Sequence, residues 1–151
     1  MPPLPDQPGR YLWVEDGDVV YIGGLDGPFR ALKLSDGEEL WQIKTELGFK
    51  APAAVQGDRV YVGDTDGKFY ALNKADGKVL WSYSTDAEIN GGANFFKDQV
   101  LLCSQDGTLY CFEGQSGKLV WKYTIENMLQ CSPTVVDERV FLAGCDGKFH
   151  V

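Results

Sequence analysis

The sequence predicts an all-β protein built from repeated four-stranded antiparallel sheets, on three observations. Asp-Gly stands at 26–27 and returns at 66–67, 106–107 and 146–147; Trp41 returns as Trp81 and Trp121; Val20 returns as Val60, Val100 and Val140. The period is 40 residues with no gap, and Gly37, Gly77 and Gly117 keep it, as do Phe29, Phe69, Leu109 and Phe149. A fixed period of this size marks a repeat architecture, in which each unit needs a neighbour to bury its surface.

Within one period the strands follow in order. Residues 51–56 (APAAVQ), 59–65 (RVYVGDT), 68–73 (KFYALN) and 78–84 (KVLWSYS) are rich in β-formers and are separated by Gly with Asp. Asp66-Gly67 reads as a two-residue hairpin turn, because Gly tolerates positive φ and Asp bonds the backbone that follows it. This register sets Thr65 opposite Lys68, Gly63 opposite Tyr70 and Val62 opposite Ala71. It puts Val60, Val62, Phe69 and Ala71 on one face and Tyr61, Tyr70 and Leu72 on the other, so both faces are apolar and both need cover. Four-stranded sheets stacked face to face around an axis make a β-propeller. The kelch repeat is longer, and the Gly-His and Trp-Asp signature of the WD repeat is absent: Gln, Ser and Lys follow Trp41, Trp81 and Trp121.

The register divides the chain into a Pro-rich segment (1–9) and a partial propeller (10–151), with blades at 10–45, 50–85 and 90–125 and an incomplete blade at 130–151. RYLWVE (10–15) aligns with KAPAAV (50–55), so the first blade begins at its innermost strand. The total is about three and a half blades, against roughly 4 to 8 in single-chain rings. The sequence stops in the third strand of the last blade, leaving an unpaired edge and an uncovered face. A fragment of a longer chain is the expected explanation; a ring closed by two chains and an open arc are the alternatives. The exposed terminal edges are expected places of self-association. Residues 1–9 do not suit the missing strand, since Pro removes ladder donors.

Composition narrows the partners. The chain has 151 residues, 44% of them hydrophobic, enough for a sizeable core. Its net charge of −8, with no Lys/Arg cluster, argues against nucleic acid. Apolar runs such as VVYI (19–22) and QVLLC (99–103) are far too short to span a membrane, and MPPLPDQPG lacks the basic and apolar regions of a signal peptide. Cys103, Cys111, Cys131 and Cys145 form no CxxC, and the only His is His150. They read as small apolar strand residues rather than metal ligands. No phosphate loop of the GxxxxGK[ST] kind occurs, and DTDG (64–67) fails the spacing of a calcium hand. No catalytic residue and no metal site are expected.

ALNKADGKVLW (71–81), ALKLSDGEELW (31–41) and CFEGQSGKLVW (111–121) resemble the Ala-x-Asp-x-x-x-Gly-Lys-x-x-Trp docking motif of the pyrroloquinoline-quinone-type (PQQ-like) β-propeller repeat, over residues 10–151. Lys33, Asn73 and Glu113 depart from its Asp, and Cys111 from its Ala. The resemblance implies that Trp41, Trp81 and Trp121 are inter-blade pins paired with Gly37, Gly77 and Gly117. Its branches include the BamB-type outer-membrane assembly lipoproteins, which are non-catalytic scaffolds, and the quinoprotein dehydrogenases, which hold quinone and calcium on the axis. The expected function is a BamB-like protein-binding or scaffolding module of the periplasm or cell envelope, with no cofactor. The alternative is a fragment of a PQQ- and calcium-dependent dehydrogenase whose catalytic residues lie outside this chain.

Residues 40 apart occupy equivalent places, so the repeat also predicts rings. Arg10, Lys50, Asn90 and Gln130 share the start of the innermost strand, where they either line a channel mouth for an anionic or polar ligand or sit as solvated strand starts. Asp6, Glu46, Asp86 and Glu126 read as solvated loop surface. Trp13 stands where Ala53, Ala93 and Pro133 are small; it is either a platform for a flat ligand or packing. His150 replaces Tyr70 and Tyr110 and reads as packing. The expected partner surface is the blade-end loops TELGFK (45–50), TDAEIN (85–90) and IENMLQ (125–130), each pairing acidic with apolar residues.

Overall fold

A computed structural model describes residues 11–25 and 27–151, with side chains from Trp13 onward. The described residues contain strands and no helix. The first sheet holds β1 (Tyr11–Asp16), β2 (Val19–Gly24), β3 (Phe29–Lys33) and β4 (Glu39–Ile43). The second holds β5 (Ala54–Gln56), β6 (Arg59–Gly63), β7 (Lys68–Asn73) and β8 (Val79–Ser84). β9 (Asn94–Phe96), β10 (Gln99–Cys103), β11 (Thr108–Glu113) and β12 (Leu119–Thr124) form the third, and β13 (Thr134–Val136), β14 (Arg139–Ala143) and β15 (Phe149–His150) the fourth. Strand order follows chain order in every sheet and every pairing is antiparallel. These are the blades of a partial β-propeller.

The inner strands are shorter than the expected 51–56: β5, β9 and β13 have three residues each. Pro52 and Pro133 offer no N–H to a ladder, and Gly91-Gly92 stands at the matching place in the third blade. Close packing takes over there. A Cβ on Gly91 would lie 2.2 Å from the Cys131 carbonyl oxygen, and Gly92 N–H donates to Ser132 Oγ at 2.9 Å.

The hairpin register is shifted by one residue from the expected one. Val62 pairs with Tyr70 and Gly63 with Phe69, because the turn holds three residues, 65–67, rather than two. Asp64 N–H donates to Lys68 O at 2.9 Å, Gly67 N–H donates to Asp64 O at 3.3 Å, and Gly67 has φ +82. This is a type I turn closed by a left-handed residue, the three-residue alternative to the primed turn. The loops 105–107 and 145–147 repeat the same bonds.

The shift exchanges partners across the sheet. Val60, Val62, Tyr70 and Leu72 share the face toward the first blade, and Tyr61, Phe69 and Ala71 the face toward the third. Both faces are buried, as an apolar pattern on both sides demands. Three clusters follow, one between each pair of successive blades. Each fully buried large side chain contributes roughly 1.5–3 kcal/mol.

The blade-end loops as a candidate binding surface

The chain passes from one blade to the next across the end that carries the β2–β3, β6–β7, β10–β11 and β14–β15 hairpin loops. Backbone bonds tie each crossing down. Thr65 N–H donates to Gly48 O at 3.0 Å, Gln105 N–H to Glu88 O at 3.0 Å and Cys145 N–H to Met128 O at 3.2 Å. One apolar residue per crossing, Phe49, Ile89 or Leu129, plugs into the core and is essentially unexposed. The absence of a side chain on Gly63 makes the room, since a Cβ there would lie 2.2 Å from Ile89 Cγ2.

These plugs change the composition of the expected partner surface. The apolar residues repeated in every loop face inward, and the exposed ones are Leu47 (50%) and Met128 (43%). Glu46, Asp86 and Glu126 are exposed beside them. The surface is therefore an acidic rim with two apolar projections on a fixed backbone.

Buried polar groups hold the hairpin loops in shape. Asp64, 2% exposed, accepts from Asp66 N–H at 3.0 Å, Lys68 N–H at 2.8 Å and Tyr70 Oη at 2.9 Å. Burial first, and then the bond to Asp64, push the Tyr70 hydroxyl well above its usual range. Asp106 takes the same hydroxyl from Tyr110 at 2.7 Å, and Asp146 meets His150 Nε2 at 3.0 Å. His150 thus keeps the polar contact of the tyrosines it replaces, beside the part it plays in packing against Tyr123.

The ring residues are not drawn together. Lys50 Nζ binds both oxygens of Glu88 at 3.1 Å, and Gln105 Nε2 donates to the same carboxylate at 3.0 Å. Asn90 is half-buried with its Oδ1 buried and unpaired, while Gln130 is exposed. Arg10 and Asp6 lie outside the described residues, and among the described ones no hydrogen bond joins Lys50, Asn90 and Gln130 to each other.

The tryptophans reach forward by one blade. Trp41 Nε1–H donates to Lys74 O at 3.0 Å, and a Cβ on Gly77 would lie 2.5 Å from the Trp41 ring. Trp81 donates to Gly114 O at 2.9 Å and covers Gly117 in the same way. Trp121 is 39% exposed, and the places 40 residues beyond Gly114 and Gly117 lie past Val151. Gly37, with φ +78, closes its own β3–β4 loop by donating to Lys33 O at 2.9 Å.

Trp13 is 45% exposed on β1, paired with Ile22, on the face turned away from the second blade. Among the described residues no group of three or more His, Cys, Asp or Glu side chains that could hold a metal ion occurs.

The cysteines depart from the expectation of four strand residues. Cys103 and Cys111 are buried in strands, Cys131 is half-buried in the crossing before β13, and Cys145 is exposed in a hairpin loop. Cys103 and Cys131 lie with their sulfurs 3.9 Å apart. Sequence spacing hides this pair, but both stand where copies differ: Gly23 and Gly63 match Cys103, and Ala51 and Gly91 match Cys131.

Stacked antiparallel blades joined by forward-reaching tryptophans define a β-propeller of the PQQ-like repeat class. A sequence profile described as outer membrane protein assembly factor BamB matches residues 6–94 and 84–151, and the chain belongs to that family. The crystal structure of BamB from Moraxella catarrhalis is similar at 26% identity and a TM-score of 0.79, over 88% of this chain and 42% of that one. The chain thus spans less than half the length of that relative. The computationally designed Ika4 protein shares the fold at 18% identity and a TM-score of 0.85, over 98% of this chain and 93% of its own. Quinohemoprotein alcohol dehydrogenase ADHIIG from Pseudomonas putida HK5 shares it at 21% identity and a TM-score of 0.67, over 74% of this chain and 20% of its own. No curated protein sequence matches the chain.

Proposed function

We propose that this chain is a non-catalytic protein-binding module that serves a scaffolding role in the cell envelope, in the assembly of outer-membrane proteins. The observation that carries the reading is the blade-loop end: Leu47 and Met128 project from crossings whose backbone is bonded down and whose neighbouring residues Phe49 and Leu129 are buried anchors. A rigid backbone presenting apolar side chains within a polar rim loses little entropy on binding. Membership of the BamB family supports a protein partner, which we take to belong to the outer-membrane assembly process. No helix among the described residues is long and apolar enough to cross a membrane.

The test is binding of the purified chain to purified outer-membrane assembly components by interferometry. Leu47→Asp and Met128→Asp, both at exposed positions, are expected to weaken binding at least about tenfold while leaving the circular dichroism spectrum unchanged. Wild-type affinity in both variants overturns the choice of surface. Saturable 1:1 binding of quinone with calcium, lost in Trp13→Ala, overturns the non-catalytic reading in favour of a quinoprotein fragment.

A further inference from the structure

We propose that Cys103 and Cys131 are a redox-active dithiol pair that closes into a disulfide joining the third blade to the fourth. Three observations meet here. The sulfurs are 3.9 Å apart, Cys103 is fully buried on β10, and Cys131 is half-buried in the crossing before β13. Bond formation needs closure to about 2.05 Å, a movement that side-chain rotation and a non-strand segment at Cys131 supply.

Access divides the roles, since an oxidant can reach half-buried Cys131 but not fully buried Cys103. The contact with the Cys103 sulfur, against the burial that opposes it and with help from the backbone N–H of Ala143, lowers the Cys131 thiol below its usual range. The same contact, together with burial, holds the Cys103 proton in place and moves that thiol upward. Cys131 is the attacking thiolate and Cys103 the resolving thiol. With a small disulfide such as oxidised glutathione as oxidant, Cys131 attacks one sulfur, the oxidant's S–S bond breaks and one glutathione thiolate leaves. Cys103 then yields its proton to solvent and attacks the Cys131 sulfur of the mixed disulfide, and the second glutathione leaves. Two protein thiols are oxidised and one disulfide is reduced to two thiols.

The remaining cysteines provide the contrast. Cys111 is bonded to Gln99 Oε1 at 3.4 Å and is pushed up to about 11 by burial, and Cys145 is exposed. Neither has a sulfur partner among the described contacts. Closure of the pair in the cell depends on the oxidising compartment that the cell-envelope reading supplies, whereas the chemistry in solution stands apart from it.

The experiment is a titration of the purified chain with oxidised glutathione, followed by alkylation and tryptic mapping without reduction. Peptides 98–118 and 123–139 are expected to be joined with the loss of two hydrogens. Peptide 98–118 also carries Cys111, so Cys111→Ser must keep the link, while Cys103→Ser and Cys131→Ser each abolish it. Oxidation is expected to raise the thermal midpoint of wild type and Cys111→Ser by on the order of 5 °C, and that of Cys103→Ser not at all. In the reduced chain Cys131 is expected to alkylate near pH 7 faster than Cys145, and Cys103→Ser to slow it. The proposal is overturned if Cys103 and Cys131 both remain alkylatable once Cys145 carries glutathione, or if the link survives in Cys103→Ser.

Discussion

The interface between the first and second blades and the interface between the third and fourth occupy equivalent places and are held by different chemistry. At the first, Tyr21, Phe29, Trp41 and Phe49 form a connected aromatic group against Val60, Val62, Tyr70 and Leu72. At the third, Leu101, Leu109 and Leu129 stand where Tyr21, Phe29 and Phe49 do and, with Cys103 and Cys111, meet Leu142. Trp121 and Tyr123 line a cleft of about 450 Å³ with Leu109, Val140 and His150. One 40-residue plan thus permits two kinds of join. The first packs aromatic rings, and the third packs aliphatic side chains and a pair of sulfurs.

Truncation of the tryptophans tests this difference most strongly. Trp41 is 8% exposed and bonded, so Trp41→Ala is expected to cost about 3–5 kcal/mol in chemical denaturation, through the cavity and the orphaned Lys74 carbonyl. Trp121→Ala, at a side chain 39% exposed, is expected to cost about 1 kcal/mol or less. Equal losses would show that the third interface is as well packed as the first.

Two glycines of the second blade sharpen the comparison at a smaller scale. Gly67 and Gly57 both sit at positive φ, +82 and +61, but a Cβ on Gly67 would lie 2.4 Å from the Ala87 carbonyl oxygen, whereas nothing is within 4 Å of one on Gly57. Gly57→Ala therefore carries only the left-handed strain, roughly 1 kcal/mol. Gly67→Ala carries that and a backbone clash, and is expected to lose about 2 kcal/mol more. Equal midpoints in urea for the two variants would mean that the crossing at Ala87 yields, against the rigidity assigned to the loop end.

The repeat, the strand count and the two apolar faces were legible because they are local patterns repeated in register. The hairpin register was not, because Asp-Gly serves both a two-residue and a three-residue turn, and only the Asp64 bonds decide between them. Pro52 and Pro133 were visible in the sequence, yet their shortening of the inner strands shows only beside the crowding at Gly91. The forward reach of Trp41 to Gly77, and not to its own Gly37, depends on packing between blades. The sulfur pair was hidden for the same reason: residues 103 and 131 belong to different blades, and the clue lay in the replacement of Gly63 by Cys103. Among the loop residues, charge was legible from composition, but which apolar side chain plugs and which projects is a property of the third dimension.

The smallest effect separates the β3–β4 and β7–β8 loops from the β11–β12 loop. In the first two an ionised Asp holds the turn: Asp36 Oδ1 accepts from Glu38 N–H and Asp76 Oδ1 from Lys78 N–H, each at 3.1 Å. In the third, Ser116 Oγ accepts from Lys118 N–H at 3.2 Å. The backbone bond, ahead of the other causes, lowers the Asp36 and Asp76 carboxyls below the ordinary value of 3.8. Groups lowered on folding contribute stability that is present above the unfolded value and is lost as pH falls through the folded one. Acid below about pH 4 should therefore loosen the first two loops before the third. An amide titration by NMR is expected to show a step at Lys78 with its midpoint below 3.8, abolished by Asp76→Ser, which writes the third blade's chemistry into the second. A midpoint at or above the ordinary value, or a step that persists in Asp76→Ser, would show that the loop bond does not favour the ionised carboxylate and that the two loop types are held alike.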